Sequence, residues 1–350
     1  MNRKSQVILI LILYLGITII LYPTFKNVSI VLILVLCILT CCFIGFIITN
    51  RFVKKTNWYK NNFIFTTQFI SNTGYRKNLQ RNLEIVNLGS NPARFGFFYE
   101  NIKGENWSTG TQGLDKDLEI LKYYHSYIKE GGYILLPIVP FTSVSGYLTK
   151  DTESLQYRAK FIKILDSLQH KHIYNPKEVY RWIKYPLFYH KKALKYLIKD
   201  VKYDDRLNIT NQLMQHTELI EDAKLWMSCW KKEFHIHDFR KPLNKDLLEG
   251  RKQAITMFKA LLDFSIERGY KPIIISLPVS KELSKLITPD IKEIYIDSFV
   301  REFNNYNVPY LDYTYNDFFS NNALYQNALF MNLKGRKIFT KDVLKRIGIY

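Results

Sequence analysis

From Gln6 to Tyr22, and again from Val28 to Thr49, the chain carries no charged side chain. An α-helix rises 1.5 Å per residue, so about 20 apolar residues cross a hydrocarbon core. Each stretch is long enough, or nearly so. The break between them, "PTFKN", suits a tight hairpin. A cleaved signal peptide fits poorly, because no small-residue cleavage site follows the first stretch and a second apolar stretch comes at once. Buried core helices are the competing reading, but neither stretch has a polar face, and enclosing both would need a very large core. The expectation is a transmembrane hairpin over residues 1–55, with spans at 6–22 and 28–49. A linker over 56–80 and one large domain over 81–350 follow. The partner this implies is membrane lipid.

Charge agrees with a membrane setting. The formal net charge is +19; the first 60 residues hold seven Lys/Arg and no acid, leaving 43 basic and 31 acidic residues beyond them. The later excess is dispersed and no nucleic-acid motif accompanies it, so no nucleic-acid partner is expected. A basic surface beside anionic lipid explains it more simply. Arg3 and Lys4 precede the hairpin and Arg51, Lys54 and Lys55 follow it, whereas the connecting loop has only Lys26. The positive-inside rule then puts the large domain in the cytoplasm. Cys37, Cys41 and Cys42 lie in the second apolar stretch and Cys229 stands alone, so no disulfide or cysteine metal cluster forms within the domain.

Four short apolar runs read as buried strands: Leu83–Leu88, Tyr133–Ile138, Pro272–Leu277 and Pro309–Leu311. Helical periodicity separates them. Leu114, Leu118, Leu121, Tyr124 and Ile128 repeat at three and four before a Gly131-Gly132 stop. Ala254, Phe258, Leu261 and Leu262 do so before Gly269, Ile291 to Phe303 form a third set, and Gly335 to Ile347 closes the chain. Alternating strands and helices predict an α/β fold with a mainly parallel sheet and helices on both faces. Ligand sites in such sheets lie at the carboxyl ends of the strands. Gly89-Ser90 and the loop "PFTSVSG" (140–146) fall there. Residues 150–245 interrupt the alternation and read as a helical insertion, either a lid over the site or an interaction surface.

Ser90 is the candidate nucleophile. Such a serine needs a sharp turn, oxyanion-binding amides and a base. Gly89 permits an unusual backbone angle, and Pro92 suits the first turn of a helix. The alternative is that Ser90 or Asn91 merely caps that helix. In "GENWSTGTQGLDKDLEILK" (104–122), Gly110 and Gly113 precede a helix, and either could supply a second oxyanion amide.

The ordered set "NLGSNPARFGF", "WSTGTQGLDKDLEILKYY", "GGYILLPIVPFTS", "KPIIISLPVS", "VPYLDYT" and "FMNLKGRKIFT" resembles the SGNH/GDSL hydrolase superfamily, in its membrane-anchored DltD-like branch. The resemblance covers most of 80–147 and 250–345. Proteins of that branch occur with bacterial envelope and capsular polysaccharide acylation. The resemblance implies a three-layer α/β/α fold with Ser90 in the nucleophile position. Gly113 is the nearest match to the oxyanion glycine and Gly110 the competing one. No cofactor and no metal are implied. The family usually carries Asp-x-x-His before its last helix; here Asn327 and Phe330 stand in those places, and neither accepts a proton from serine. The oxyanion asparagine expected after the second core strand is also missing, with Thr142 and Ser143 in its region.

Another base would have to come from elsewhere. His235 and His237 flank one residue, with Asp238 next; on a strand both rings would share one face and could hold a metal. His125 is expected within the fold. His170, His172, His190 and His216 are expected on solvated helical faces. Asp312 and Asp317, near the end of the last strand, could orient or bind a substrate. The expected function is an O-acyl esterase or acyltransferase of cell-surface polysaccharide using Ser90. The alternative is a catalytically inactive SGNH-like domain that binds a glycan or a partner membrane-bound acyltransferase; a membrane-attached scaffold is the third reading. The expected location is the bacterial cell membrane with two passes. The resemblance points to an extracytoplasmic domain and the charge pattern to a cytoplasmic one.

Overall fold

The computed structural model describes residues 28–60, 70–71, 74–75, 80–110, 112–145, 184–201 and 213–349. The first apolar stretch, "PTFKN", the first part of the expected helical insertion, His170 and His172 lie outside them. The chain divides into two compact units: residues 1–60 with 181–202, and residues 61–180 with 203–350.

In the first unit, helix α1 runs Val28–Val53, four residues past the expected end. Its stretch Ile30–Val53 is long and apolar enough to cross a membrane, and it is the one such helix among the described residues. Only 11 % of its apolar window is buried, so it is not a core helix. Thr40 and Thr49 donate their hydroxyls to Leu36 O and Gly45 O, at 2.8 and 2.7 Å, which satisfies the polar groups in the apolar span. Residues 184–201 pack on its last turns. Leu187 N donates to Asn50 Oδ1 at 3.1 Å, and Val53, Leu187 and Ala193 form a small core. Asp200 accepts the N–H groups of Asn57 (2.5 Å) and Trp58 (3.1 Å), where a short helix, Asn57–Tyr59, begins. The start of the expected linker and part of the expected insertion thus belong to this unit.

The second unit is α/β. Strands β1 (Leu83–Asn87), β2 (Gly104–Asn106), β3 (Ile128–Ile138), β4 (Lys271–Ser276) and β5 (Tyr310–Asp312) form a parallel sheet in the order β2-β1-β3-β4-β5. The helices used below are α2 (Asn91–Arg94), α3 (Leu114–Tyr124), α4 (His216–Glu233), α5 (Lys245–Glu267), α6 (Ser298–Phe303) and α7 (Leu333–Arg346). Side chains alternate across β3. Ile134, Leu136 and Ile138 pack with Ile120 and Leu121 of α3, Phe258 and Leu262 of α5 and Phe299 of α6. Leu135 packs on the opposite face with Phe339, Val343 and Leu344 of α7. Helices therefore cover both faces. A third cluster joins Leu219, Ala223 and Trp230 of α4 to Phe141, Val279 and Leu329, on loops beyond the carboxyl ends of the strands.

Four sequence expectations change. Strand β2 was not expected. Gly131-Gly132 does not stop a helix: α3 ends at Tyr124, a turn covers His125–Tyr127, and both glycines lie within β3. Between the pairings Leu83↔Ile128 and Ile85↔Tyr133, β3 advances farther than β1, and Gly131, at φ +66°, accommodates the irregularity. The helix expected over Ile291–Phe303 is interrupted by a π-turn at Glu293–Asp297. The interval expected as linker also contains an antiparallel pair, Ile70–Ser71 with Gly74–Tyr75.

Helix α7 approaches its neighbour closely. A Cβ on Gly335 would lie 2.2 Å from Leu324 O, a backbone atom that cannot swing aside. Gly335→Ala should destabilise the unit by about 1–3 kcal/mol, read as a lower urea midpoint of the detergent-solubilised chain. Lys341→Ala, exposed on the same helix, should leave the midpoint in place. Equal midpoints for both variants would refute the close approach.

Candidate functional site

The strand order reverses between β1 and β3. In an open parallel sheet of this order, that switch point opens a crevice at the carboxyl ends of the strands. The chain leaves β1 there through Leu88-Gly89-Ser90, and it leaves β3 through the loop 139–145.

Paired asparagines build the floor of this turn. Asn87 and Asn106 are register partners at the ends of β1 and β2. Asn87 Nδ2 donates to Asn106 Oδ1 at 2.9 Å, and Tyr99 OH donates to Asn87 Oδ1 at 3.0 Å. Asn106 Nδ2 is directed at Ala93 O, Arg94 O and Phe97 O at 3.2–3.3 Å, at and just beyond the carboxyl end of α2. Gly89 adopts φ +108°, and a Cβ there would meet the Ala93 side chain at 2.9 Å. Its N–H donates to Asp117 Oδ1 at 2.8 Å, and Gln112 Nε2 donates to the same oxygen at 2.5 Å. Burial pushes the Asp117 carboxyl up to about 7, although both hydrogen bonds pull it down.

Ser90 occupies the N-cap position of α2 with extended backbone, but its side chain makes no capping bond. The simple capping role expected as the alternative is therefore not what its hydroxyl does. Nor does it hydrogen-bond to an imidazole or a carboxylate among the described residues. Gly110 lies against Asn91: a Cβ there would come 2.6 Å from Asn91 Oδ1. Gly113 is the N-cap of α3, the helix that carries Asp117. Two contacts, Asn91 on Gly110 and Gly89 on Asp117, thus bring Gly110 and the helix that Gly113 caps to the serine turn. Thr109 Oγ1, Gln112 Oε1 and Ser143 Oγ are buried without a hydrogen-bond partner among the described residues. Thr142 braces its own loop, its Oγ1 accepting from Val139 N at 3.0 Å.

Asn327 and Phe330 lie in a packed segment. Asn327 Oδ1 accepts from Leu329 N and Phe330 N at 3.0 and 2.7 Å. The Phe330 ring stacks on Phe95, which ends α2, with centroids 4.8 Å apart, and meets Trp226 of α4 edge-on at 5.5 Å. Asp222 of α4 accepts from Ala328 N at 2.9 Å and from Trp226 Nε1 at 3.1 Å. Beside Phe330 lies an apolar recess lined by Pro92, Gly96, Val139, Leu277, Leu329 and Met331, of about 10 Å³, room for about one water.

The other candidates go elsewhere. The His-x-His strand does not form: His235 has φ +53° in a turn after α4, which breaks the extended backbone that would align both rings. Among the described residues no cluster of His, Cys, Asp and Glu fits a metal. His125 lies before β3, at the opposite end of the sheet from Ser90, against Phe264 and Tyr270. His216 opens α4, 3.9 Å from Glu282, and His190 packs on Trp58 in the first unit. Burial opposes ionisation of Asp312, but hydrogen bonds from Lys292, Ser276 and Thr314 hold its carboxyl below the usual range. It is committed to this network; Asp317 is exposed. The Asn87–Asn106 pair and Asp117 were missed from sequence.

No protein-family model matches this chain, and no curated protein matches it. The Asp117 bridge yields a pH test. Its folded pKa, about 7, lies above the ordinary carboxyl value of 3.8. The protonated form is thus favoured by folding, and the stability from this group is lost as pH rises through about 7. Asp117→Asn, neutral throughout, should lose less stability than the wild type between pH 5 and 8, measured as denaturation midpoints. Parallel profiles would show that Asp117 ionises in the fold without penalty.

Proposed function

We propose that this chain is a membrane-anchored, SGNH-like protein whose α/β domain binds rather than hydrolyses its ligand, within bacterial envelope or capsular polysaccharide acylation. The ligand is a cell-surface polysaccharide or a partner membrane-bound acyltransferase. The observation that carries this reading is the aromatic stack Phe95–Phe330–Trp226. It fills the place where the resemblance calls for a base, and Asn327 there caps two backbone amides. A serine hydroxyl without a base is a poor nucleophile, because its alkoxide is scarcely populated at neutral pH. The switch-point strand order and the Gly-Ser turn support the SGNH-like part, with Gly113 or Gly110 beside the serine as vestiges of an oxyanion hole. In this reading Gln6–Tyr22 forms a second membrane span beside α1.

The esterase or acyltransferase reading has one observation in its favour: the Ser90 hydroxyl is not used as a helix cap. It would require a base from outside the described residues, where His170 and His172 lie. A fluorophosphonate probe on membranes carrying the protein separates the two readings. Equal labelling of the wild type and Ser90→Ala is expected. Labelling that disappears in Ser90→Ala would make Ser90 a nucleophile and overturn the binding-only reading. The acylation setting places the domain outside the cytoplasm, against the charge pattern. Added protease should therefore digest it in intact cells, and full protection would reject action on external glycans.

A further inference from the structure

Residues 184–201 are strongly basic yet display large apolar side chains. Ile198 is 93 % exposed, Phe188 54 %, Leu194 48 % and Leu197 39 %. Lys191, Lys192 and Lys195 stand between them and Lys184 and Lys199 flank them, all exposed. With Arg51, Lys54, Lys55 and Lys60 the described residues of this unit carry nine cations and one acid, Asp200. That acid is occupied by the backbone N–H groups of Asn57, Trp58 and Val201. Burial and the nearby charge of Lys184 lower the Lys54 pKa, a sign that ammonium groups crowd here without an internal counter-ion.

The segment's depth along α1 is fixed by its contacts. The Phe188 ring lies 6.3 Å from that of Phe46, and Tyr185 lies 5.9 Å from it. Phe46 precedes Val53 by seven residues, which is about 10 Å along the helix axis. The apolar span Ile30–Val53 has 24 residues, about 36 Å against about 30 Å of hydrocarbon. The excess is too small to lift Phe46, and Phe188 with it, out of the bilayer boundary. Just beyond the end of the span, Trp58 stacks on Tyr196 at 5.2 Å, ring types that are enriched at membrane–water boundaries.

We propose that residues 184–201 form an interfacial anchor, with Phe188, Leu194, Leu197 and Ile198 entering the acyl boundary of an anionic bilayer beside α1 while the lysines hold its headgroups. Interfacial helices bind in this way, through apolar area together with attraction to anionic lipid. The inference rests on α1 crossing a membrane but not on any role for Ser90.

The test uses the full chain with Cys37, Cys41, Cys42 and Cys229 changed to serine and Ile198→Cys carrying an environment-sensitive fluorophore. It is reconstituted in phosphatidylglycerol or phosphatidylcholine vesicles. A nitroxide on the lipid near the headgroup should quench the label, and iodide in solution should not reach it. Quenching should be stronger with phosphatidylglycerol and should weaken with salt. Replacing Lys191, Lys192, Lys195 and Lys199 by glutamate should abolish the phosphatidylglycerol preference, and replacement by glutamine should reduce it. A label open to iodide in a chain that resists alkaline carbonate extraction would overturn the inference and leave the anchor standing. Shielding from iodide without nitroxide quenching would indicate a protein contact and also overturn it. Release by carbonate would reject the membrane helix itself.

Discussion

One buried carboxamide holds the candidate site together. Helix α2 has four residues, too few to persist on intrinsic propensity. Asn106 Nδ2 is shared among three carbonyls at its carboxyl end, and Asn106 Oδ1 accepts from Asn87 Nδ2 and Ser108 N. An apolar residue at 106 would take the Oδ1 acceptor away from the buried Asn87 Nδ2 and Ser108 N, at about 1–3 kcal/mol for each donor so stranded, whereas Ala93 O would keep Gly96 N and Phe97 N, and Phe97 O the Arg336 guanidinium. Position 87 is as constrained, since Tyr99 donates to the amide that anchors Asn106. The turn at Gly89-Ser90 therefore inherits its geometry from the ends of two neighbouring strands. Asp117 completes it from α3, and the cost of burying a carboxylate is reduced by protonation near neutral pH.

The region opposite that turn follows a different logic. An Asp-x-x-His pair works because the carboxylate orients the imidazole and stabilises its charged form. Asn327 carries no charge, and its oxygen already accepts two backbone N–H groups. An imidazole at position 330 would sit between Phe95 and Trp226, where desolvation lowers its basicity. Asp222 and Trp226 of α4 are both committed to this segment, one by hydrogen bonds and the other by ring packing. Helix α4 thus closes this segment with a packed, hydrogen-bonded contact.

Strands β1, β3 and β4 were legible because their apolar runs are enclosed on both faces, and β5, a partly exposed edge strand, from its short apolar run alone. Strand β2, "GEN", was not legible. It is wholly buried, but its polar groups are satisfied by partners distant in sequence, such as Asn87 and the α2 carbonyls. Gly131-Gly132 has the local signature of a helix stop, and only the longer path of β3 beside β1 shows that it serves an irregular pairing. The spacing His235-x-His237 has a meaning only if the backbone is extended, and the left-handed conformation at His235 removes it. Ser90 and the glycines at 110 and 113 were readable from turn chemistry. Asp117 was not: its role depends on a 2.8 Å bond to a backbone amide 28 residues earlier, which leaves no local pattern. A sequence reader could have suspected it only as an acid one turn inside the apolar helix that follows the glycines.

The insertion shows why composition alone could not divide the chain. Its described parts are both helical and rich in Lys, Leu and aromatic residues, yet they meet opposite physical demands. Helix α4 places Leu219, Ala223 and Trp230 into a core shared with the loops beyond β3 and β4, so its apolar stripe is hidden. Residues 191–198 are split between a 3₁₀ turn and a four-residue helix, too short to bury a stripe against a domain. Ala193 is their buried contact, and Leu194, Leu197 and Ile198 face outward. In water that exposure has no compensation. Beside a helix that is itself long, apolar and uncovered, the same exposure becomes favourable as soon as lipid takes the place of water, and the lysines between those side chains then add to the binding instead of opposing it.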